Sequence, residues 1–164
     1  MNEPSSTDWA YLAGLLDGEG SFTVIVNRRQ NRKTIWHRGR RREGKGLQLM
    51  PIISFGVKGP HMPLWVKMHF GGLAFSRNVG DMWNWRLTKL EAVEDMLGYL
   101  LPFLKIKRDQ AEILLLFVQE RRHAEQRDGR YHAPYSERCF GLANKVRSLN
   151  GNHKRIELYD SVAA

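Results

Sequence analysis

The feature that most constrains this chain is a short run, Leu12 to Gly20, in which an uncharged helical segment leads directly into a strand. The run reads LAGLLDGEG and is followed at once by SFTVIV, whose alternation is typical of a strand. We expect the helix to start near Ser6 or Thr7, either of which can act as its N-cap. Because almost no charge precedes Asp17, the helix is predicted to be buried nearly all round.

Small residues and carboxylates share the end of this helix. Ala10, Gly14 and Gly18 recur every four positions, and such a stripe lets another backbone come close. Asp17 and Glu19 stand at the helix C-terminus, where a carboxylate is unfavourable by roughly 0.3–1 kcal/mol because the carbonyls there carry partial negative charge. In a basic protein this placement indicates a compensating cation, and a hard divalent ion such as Mg²⁺ takes oxygen ligands of this kind.

The run resembles the motif of the LAGLIDADG homing endonucleases, and the ordered match extends into the strand. The resemblance implies that Glu19, with the carbonyl of Gly18, binds a catalytic metal, which would be Mg²⁺ or Mn²⁺, with Ca²⁺ as a non-catalytic substitute. It also implies that Asp17 is mainly structural and that the helix packs on a second motif helix. The predicted interface residues are Ala10, Ala13, Gly14 and Asp17. Without the resemblance, the run also allows a buried helix with two solvated acids.

Composition favours a polyanionic partner, because the 164-residue chain has a formal net charge of +9 and a pI of about 10.0. The hydrophobic content of 42% supports a packed core, and the length fits one domain or a compact pair of half-domains. The one cysteine, Cys139, permits no internal disulfide. No signal peptide or membrane-spanning run is visible, so we expect a prokaryotic cytoplasm or an organellar matrix, and no membrane partner.

Two alternating segments predict strands with one core face and one outward face. In residues 21–27 the inward set is Phe22, Val24 and Val26. In residues 47–57 the inward set is Leu49, Ile53, Phe55 and Val57, and the outward set is Gln48, Met50, Ile52 and Ser54. Pro51 suggests an edge position or a bulge. Residues 28–45 are the most basic segment, which we interpret as a hairpin loop that closes on phosphates, with a merely solvated loop as the alternative.

The following segments complete one structural unit. Residues 60–70 are predicted to form a helix with Leu64, Trp65 and Met68 as its apolar contacts, and residues 73–78 and 82–87 a hairpin. Residues 91–104 form an amphipathic helix. We expect Trp83 and Trp85 in the core, with stacking on bases as the alternative. The order predicts an α+β fold, αββαββα, with a four-stranded antiparallel sheet covered on one face by helices. The family resemblance implies a curved saddle in the DNA major groove.

The C-terminal third is predicted to be helical and to belong to the same single domain, with residues 1–104 as the core unit and 105–164 as the helical part. We expect helices over 111–122, 136–149 and briefly 156–162, with an irregular stretch at 124–135. The segment around Lys107 resembles a second family signature. That resemblance implies that Lys107 reaches toward the scissile phosphates and stabilises negative charge; an ordinary basic helix start is the alternative.

The side chains predicted to contact DNA lie on the outward strand face, in the basic segment and in the second hairpin. They are Thr23, Ile25, Asn27, Arg28, Arg29, Arg32, Lys33, Arg38, Arg40, Arg41, Arg42, Gln48, Met50, Ser54, Ser76, Arg77, Asn78, Asn84 and Arg86. The family often has a polar group after its second strand that organises the hydrolytic water. Here the matching segment is 58–61, where Lys58, His61 or solvent would take that role.

The motif occurs once, so one chain supplies one catalytic acid. Hydrolysis with paired metals needs acids from both sides of the scissile phosphates, which predicts a two-fold homodimer on a long, roughly palindromic site in double-stranded DNA. The resemblance implies an intron-encoded, site-specific endonuclease that makes a double-strand break with short 3′ overhangs. The alternatives are an RNA-binding intron maturase and a DNA-binding protein that does not cleave. The scattered histidines make histidine catalysis an unfavoured reading.

Overall fold

The computed structural model describes residues 3–29, 35–37, 40–42, 46–77, 80–128 and 135–152. Within them the helices are α1 (Ser6–Glu19), α2 (His61–Phe70), α3 (Leu90–Leu100), α4 (Arg108–Asp128) and α5 (Glu137–Leu149). The strands are β1 (Gly20–Arg29), β2 (Ile35–His37), β3 (Arg40–Arg42), β4 (Gly46–Lys58), β5 (Leu73–Arg77) and β6 (Met82–Leu87). The predicted α+β order is confirmed, with the small β2–β3 pair inserted between β1 and β4.

Helix α1 begins at Ser6, and its N-cap is Ser5 rather than the predicted Ser6 or Thr7. The Ser5 hydroxyl accepts from the Asp8 amide at 3.3 Å, and the Asp8 carboxylate accepts from the Ser5 amide at 2.8 Å. This reciprocal capping box needs an acceptor three residues after the cap, and Asp8 stands at that distance from Ser5. At the other end, β1 follows with no loop. A Cβ at Gly20 would lie 2.5 Å from the Leu16 carbonyl oxygen, so the junction requires glycine.

The main sheet is antiparallel with strand order β1-β4-β6-β5. The β1–β4 register runs without interruption from Gly20 opposite Phe55 to Arg29 opposite Gly46, so the bulge considered for Pro51 is absent from this ladder. Strand β6 pairs with β4 only from Ile53 onward. Pro51 therefore lies where β4 has one strand partner, and the edge position that was predicted for it is correct locally.

One face of the sheet carries the core. Phe22, Ile53 and Trp85 are fully buried on β1, β4 and β6, and they join one cluster with buried residues of α1, α3, α4 and α5. The alternation of β1, β4 and β6 is confirmed on this face, although Trp83, which was predicted to lie in the core with Trp85, is only half-buried and is outside the core cluster. Ile52 is an exception to the outward set: the ladder places it opposite Thr23 on the other face, yet it is 3% exposed.

Two helix predictions need correction. In α2 the buried residues are Pro63 and Val66, and Leu64 and Met68 are 40% and 67% exposed. Of the three predicted contacts only Trp65, which is partly buried against the core, is confirmed. Short helices with apolar residues on several faces do not reveal from sequence which face packs. Helix α4 continues to Asp128, past the stretch predicted to be irregular from residue 124. Its buried face continues through Arg121, which is only 4% exposed. Because this buried position is occupied by a charged residue, the helical spacing of apolar residues is interrupted in the sequence. The segment 156–162 lies outside the described residues.

Helix α5 covers the free edge of β1. The Asn150 amide, just after the helix, donates to the Phe22 carbonyl at 2.8 Å, and the Arg147 guanidinium donates to the Val24 carbonyl at 3.3 Å. These bonds satisfy carbonyls that would otherwise form an open sheet edge. None of the helices in the described segments combines the length and apolarity that a membrane crossing needs.

Candidate active site and nucleic-acid interface

The last turn of α1 is fixed to the loop that precedes α4. Asp17 is 9% exposed, and its carboxylate accepts from the backbone amides of Lys105 at 2.7 Å and Lys107 at 2.9 Å. Burial raises the pKa of Asp17, but the amides of Lys105, Lys107 and Ile106 and the Lys107 charge outweigh it, so the pKa lies below its ordinary value. The structural role expected for Asp17 therefore has a physical basis in these donors.

The Lys107 ammonium lies at the C-terminal end of α1. Its Nζ donates to the backbone carbonyls of Leu16 at 3.1 Å, Gly18 at 3.2 Å and Gly20 at 2.7 Å. These carbonyls belong to the end of the helix dipole, so a cation is favourable there. The sequence predicts a divalent ion that balances both acids. The negative charge of Asp17 is instead stabilised within the chain, by the Lys107 ammonium and the loop amides.

Glu19 has a different environment. Its side chain is exposed and makes no hydrogen bond or ion pair with any residue that the structure describes. A Cβ built on Gly18 would meet nothing within 4 Å, so its side-chain position faces open space, and the Gly18 carbonyl accepts only from the flexible Lys107 side chain among the described residues. A carboxylate and a carbonyl with open space are suitable ligands for a hard divalent ion. The described residues contain no group of three or more His, Cys, Asp or Glu side chains that would complete such a site. The other ligands would have to come from water, phosphate or a second subunit.

The catalytic candidates adjoin the face of the sheet that points away from the helices, which we call the outer face. Ser21, two residues after Glu19, pairs with Ser54, and Ser54 pairs with Arg86. Register and alternation place most of the predicted DNA-contacting strand residues on this face. These are Thr23, Ile25, Asn27, Gln48, Met50, Ser54, Asn84 and Arg86.

Ser76 is not on the outer face. The register pairs Ser76 with Trp83 and Ala74 with Trp85, and Trp85 is buried in the core. The register therefore separates Ser76 from this set, because the strand pattern did not reveal the hairpin register. Its side chain is exposed on an edge strand, so a contact of Ser76 with DNA stays a prediction. Phe75, which sequence reasoning missed, is opposite Asn84 on the outer face. The available signal in the sequence was that Phe75 and Leu73 are two positions apart in a predicted strand and therefore share one face.

The basic segment is only partly described. Strands β2 and β3 pair antiparallel, with Ile35 opposite Arg42, which agrees with the hairpin interpretation. The backbones of Arg40, Arg41 and Arg42 form β3, and those of Arg28 and Arg29 end β1. Arg77 ends β5, opposite Met82. The predictions for Arg32, Lys33, Arg38 and Asn78 lie outside the described residues.

The predicted interface set on α1 needs correction. Ala13 is fully buried in the core of its own chain and has no surface to offer a partner. Asp17 is occupied by the amides of residues 105 and 107. Ala10, Gly14 and Gly18 are exposed, and side-chain positions on both glycines face open space.

The fold is that of the LAGLIDADG homing endonucleases, so the resemblance that the motif predicted is confirmed at the level of the fold. The chain is similar to the homing endonuclease I-CvuI, solved in complex with the I-CreI target, with 21% identity, a TM-score of 0.69, and coverage of 95% of this chain and 90% of that chain. An archaeal intron-encoded homing endonuclease complexed with DNA, I-Vdi141I, has 17% identity, a TM-score of 0.64, and coverage of 87% and 83%.

The meganuclease I-SmaMI, bound to DNA, is a longer chain. It is 15% identical with a TM-score of 0.59, and the match covers 92% of this chain but 44% of that one. No protein-family model and no curated protein sequence matches the chain.

Proposed function

We propose that this chain is a site-specific DNA endonuclease that acts as a homodimer and hydrolyses phosphodiester bonds with Mg²⁺ or Mn²⁺. The observation that carries the proposal is the end of α1. There an exposed carboxylate without a described protein partner, Glu19, lies at the border of the outer face, and the carbonyls of its two neighbours Gly18 and Gly20 accept from the Lys107 ammonium. The sequence identities are low, so the neighbours support the fold and the residues must support the chemistry.

Each residue has a role that follows from its position. Glu19 and the Gly18 carbonyl would hold the divalent ion, which supplies Lewis-acid stabilisation and a more acidic water. The Lys107 ammonium would stabilise negative charge on the phosphate. Asp17 would keep the Lys107 backbone in place while the flexible side chain exchanges carbonyl contacts for phosphate contacts. Lys58 and His61 are exposed and remain candidates, with solvent, for orienting the water.

A homodimer would supply the second acid. The chain matches less than half of I-SmaMI, which supports the idea that a complete enzyme of this fold contains two such units. Ala10, Gly14 and Gly18 would allow two α1 helices to approach closely, and Tyr11, 51% exposed, would extend the contact. A two-fold axis between the helices would bring one Glu19 from each chain toward the same short stretch of DNA.

The outer faces of the two sheets would then read the two halves of a long site in the major groove. The arginines at the end of β1 and in the β2–β3 hairpin would contact phosphates, in agreement with the net charge of +9. The I-CvuI complexes were obtained in the presence of magnesium and of calcium, which supports divalent-ion use. The description of I-Vdi141I as intron-encoded supports a similar origin, and with it a prokaryotic cytoplasm or organellar matrix.

The test is cleavage by matched variants. Wild-type protein is incubated with a plasmid library of randomised duplex inserts and Mg²⁺, and cut and bound molecules are sequenced. Glu19→Gln should lose double-strand cleavage by about 100-fold or more while retaining binding. Asp95→Asn, which removes an exposed carboxylate on α3, should keep both. Wild-type binding without cutting in Mg²⁺ or Mn²⁺ would support a non-cleaving protein, and preference for structured RNA a maturase. Glu19→Gln that cuts at the wild-type rate would refute the catalytic assignment.

A further inference from the structure

An arginine on an inner strand of the outer face contacts an aromatic ring. The Arg86 Cζ lies 5.1 Å from the ring centroid of Phe75. The register pairs Leu73 with Arg86 and Phe75 with Asn84, so Phe75 and Arg86 are diagonal neighbours on adjacent strands. A cation–π contact of this kind restricts the position of the guanidinium group.

The donors of this guanidinium are available. Arg86 is exposed and forms no hydrogen bond or ion pair with any residue in the described parts of the chain. The contact with Phe75 uses none of the guanidinium N–H groups as hydrogen-bond donors, so they are available to a ligand. Because the side chain is already restricted by the ring, it loses less conformational entropy when it binds a ligand.

The position of Arg86 favours a base over a phosphate. Strand β6 has a partner on each side, and Arg86 is paired with Ser54 on β4 and Leu73 on β5. A side chain inside the sheet faces the floor of a groove, whereas phosphates line the rims. On the same face Leu73 and Ile25 are 46% and 39% exposed, and apolar side chains suit base edges and thymine methyl groups better than phosphates.

We propose that Arg86, held in position by Phe75, reads a guanine in the DNA major groove through a bidentate contact to O6 and N7. This inference rests on the proposed function and deepens it by naming a specificity-determining pair. Arginine is the residue that matches the two acceptors of guanine in this groove.

The row of paired residues also locates the guanine. Ser21, Ser54 and Arg86 lie side by side on β1, β4 and β6, and Ser21 follows directly on the end of α1. With strands about 4.8 Å apart, the Arg86 Cα is about 10 Å from that of Ser21. The guanine should therefore lie in the part of each half-site that is nearer to the cut.

The experiment is parallel selection of bound sequences from a randomised duplex library with wild type, Arg86→Ala, Phe75→Leu and the control Arg138→Ala, an exposed arginine on α5. Wild type should enrich a two-fold-related site with one guanine near the cut in each half. Arg86→Ala should lose the preference at that position alone, and its affinity for the wild-type site should fall about 5- to 150-fold. Phe75→Leu should retain the guanine but with weaker preference, and Arg138→Ala should match wild type.

Two outcomes would overturn the inference while the proposed function stands. One is an unchanged selected sequence with Arg86→Ala. The other is a uniform loss of affinity of Arg86→Ala for all sequences, together with a salt dependence of binding whose log–log slope is smaller by about one. That result would identify a phosphate contact. If wild type enriches no sequence, both the proposed function and this inference fail. Circular dichroism melts of each variant establish that specificity is compared between folded proteins.

Discussion

Asp17 and Glu19 have similar side chains and are two positions apart, yet their environments are opposite. Two positions correspond to about 200° around a helix, so one carboxylate turns inward and the other outward. Asp17 meets the amides of residues 105 and 107, whereas Glu19 meets no described partner. One acid can therefore stabilise the protein while the other remains available for chemistry.

Replacement of Asp17 by Asn should destabilise the fold in a pH-dependent way. At pH 7 the variant should lose about 1–3 kcal/mol of unfolding free energy, because the Asn side chain has one acceptor oxygen, so one of the two part-buried loop amides loses its charged acceptor. The folded-state pKa of Asp17 is lowered, so its contribution is present above the unfolded pKa, near about 3.9, and is lost as the pH falls through the folded-state pKa. Urea unfolding at a series of pH values from 7 to 2 measures the free energy of unfolding of the wild type and of Asp17→Asn.

The two unfolding curves should converge in acid. Glu19→Gln is the control, and because Glu19 is exposed it should change the free energy of unfolding by less than about 0.5 kcal/mol. A difference between Asp17→Asn and wild type that stays constant across the whole pH range would contradict a stabilising carboxylate.

Strand β4 depends on a residue from outside the sheet. Beyond the end of its pairing with β6, the Tyr135 hydroxyl accepts from the Leu49 amide at 2.8 Å and donates to the Leu49 carbonyl at 3.3 Å. The Arg121 guanidinium lies 4.2 Å from the centroid of the Tyr135 ring and holds it in place. One side chain thus substitutes for the missing strand, in the same way that α5 covers the edge of β1.

Replacement of Tyr135 by Phe should cost about 1–3 kcal/mol of unfolding free energy, because the Leu49 amide is left without an acceptor. Tyr99→Phe is the matched control. Its ring is 59% exposed and stacks on Trp9, and its hydroxyl has no hydrogen bond among the described residues, so the free energy should be almost unchanged. Thermal melts with hydrogen exchange at Leu49 provide the measurement, and equal losses in the two variants would refute the assignment.

The molecule as a whole is organised as one core between helices and sheet, with the catalytic candidates at the border of the opposite face. Under the proposed function, a single copy of this arrangement would supply one catalytic acid and one DNA-reading surface. The exposed small residues of α1 are the part of the surface where a second copy would complete the site.

Replacement of Gly14 by Leu should convert the predicted dimer to a monomer, because the added side chain would hold the two helices apart. Within one chain the change is tolerated, since a Cβ on Gly14 meets nothing within 4 Å. Gly141→Leu on α5, also an exposed helical glycine with open space, is the control and should remain a dimer. Sedimentation at low micromolar concentration measures both, and a monomeric wild type would refute the two-fold site.

Local periodicity was enough to predict the helix-to-strand junction, the αββαββα order and the core faces of β1, β4 and β6. These properties depend on side-chain spacing along short segments, which the chain carries in its residue order. The roles of Glu19 and Lys107 in catalysis were also inferred from the sequence, and they stay predictions.

Other properties required contacts between distant segments. Ser76 faces the core side, and Leu64 and Met68 are exposed, because strand register and helix packing are set by partners elsewhere in the chain. The clearest case is Asp17, whose donors lie 88 and 90 residues away. No local pattern specifies which of two acids at a helix end will meet amides from so distant a loop. That choice follows from how α1 and the loop before α4 pack against each other.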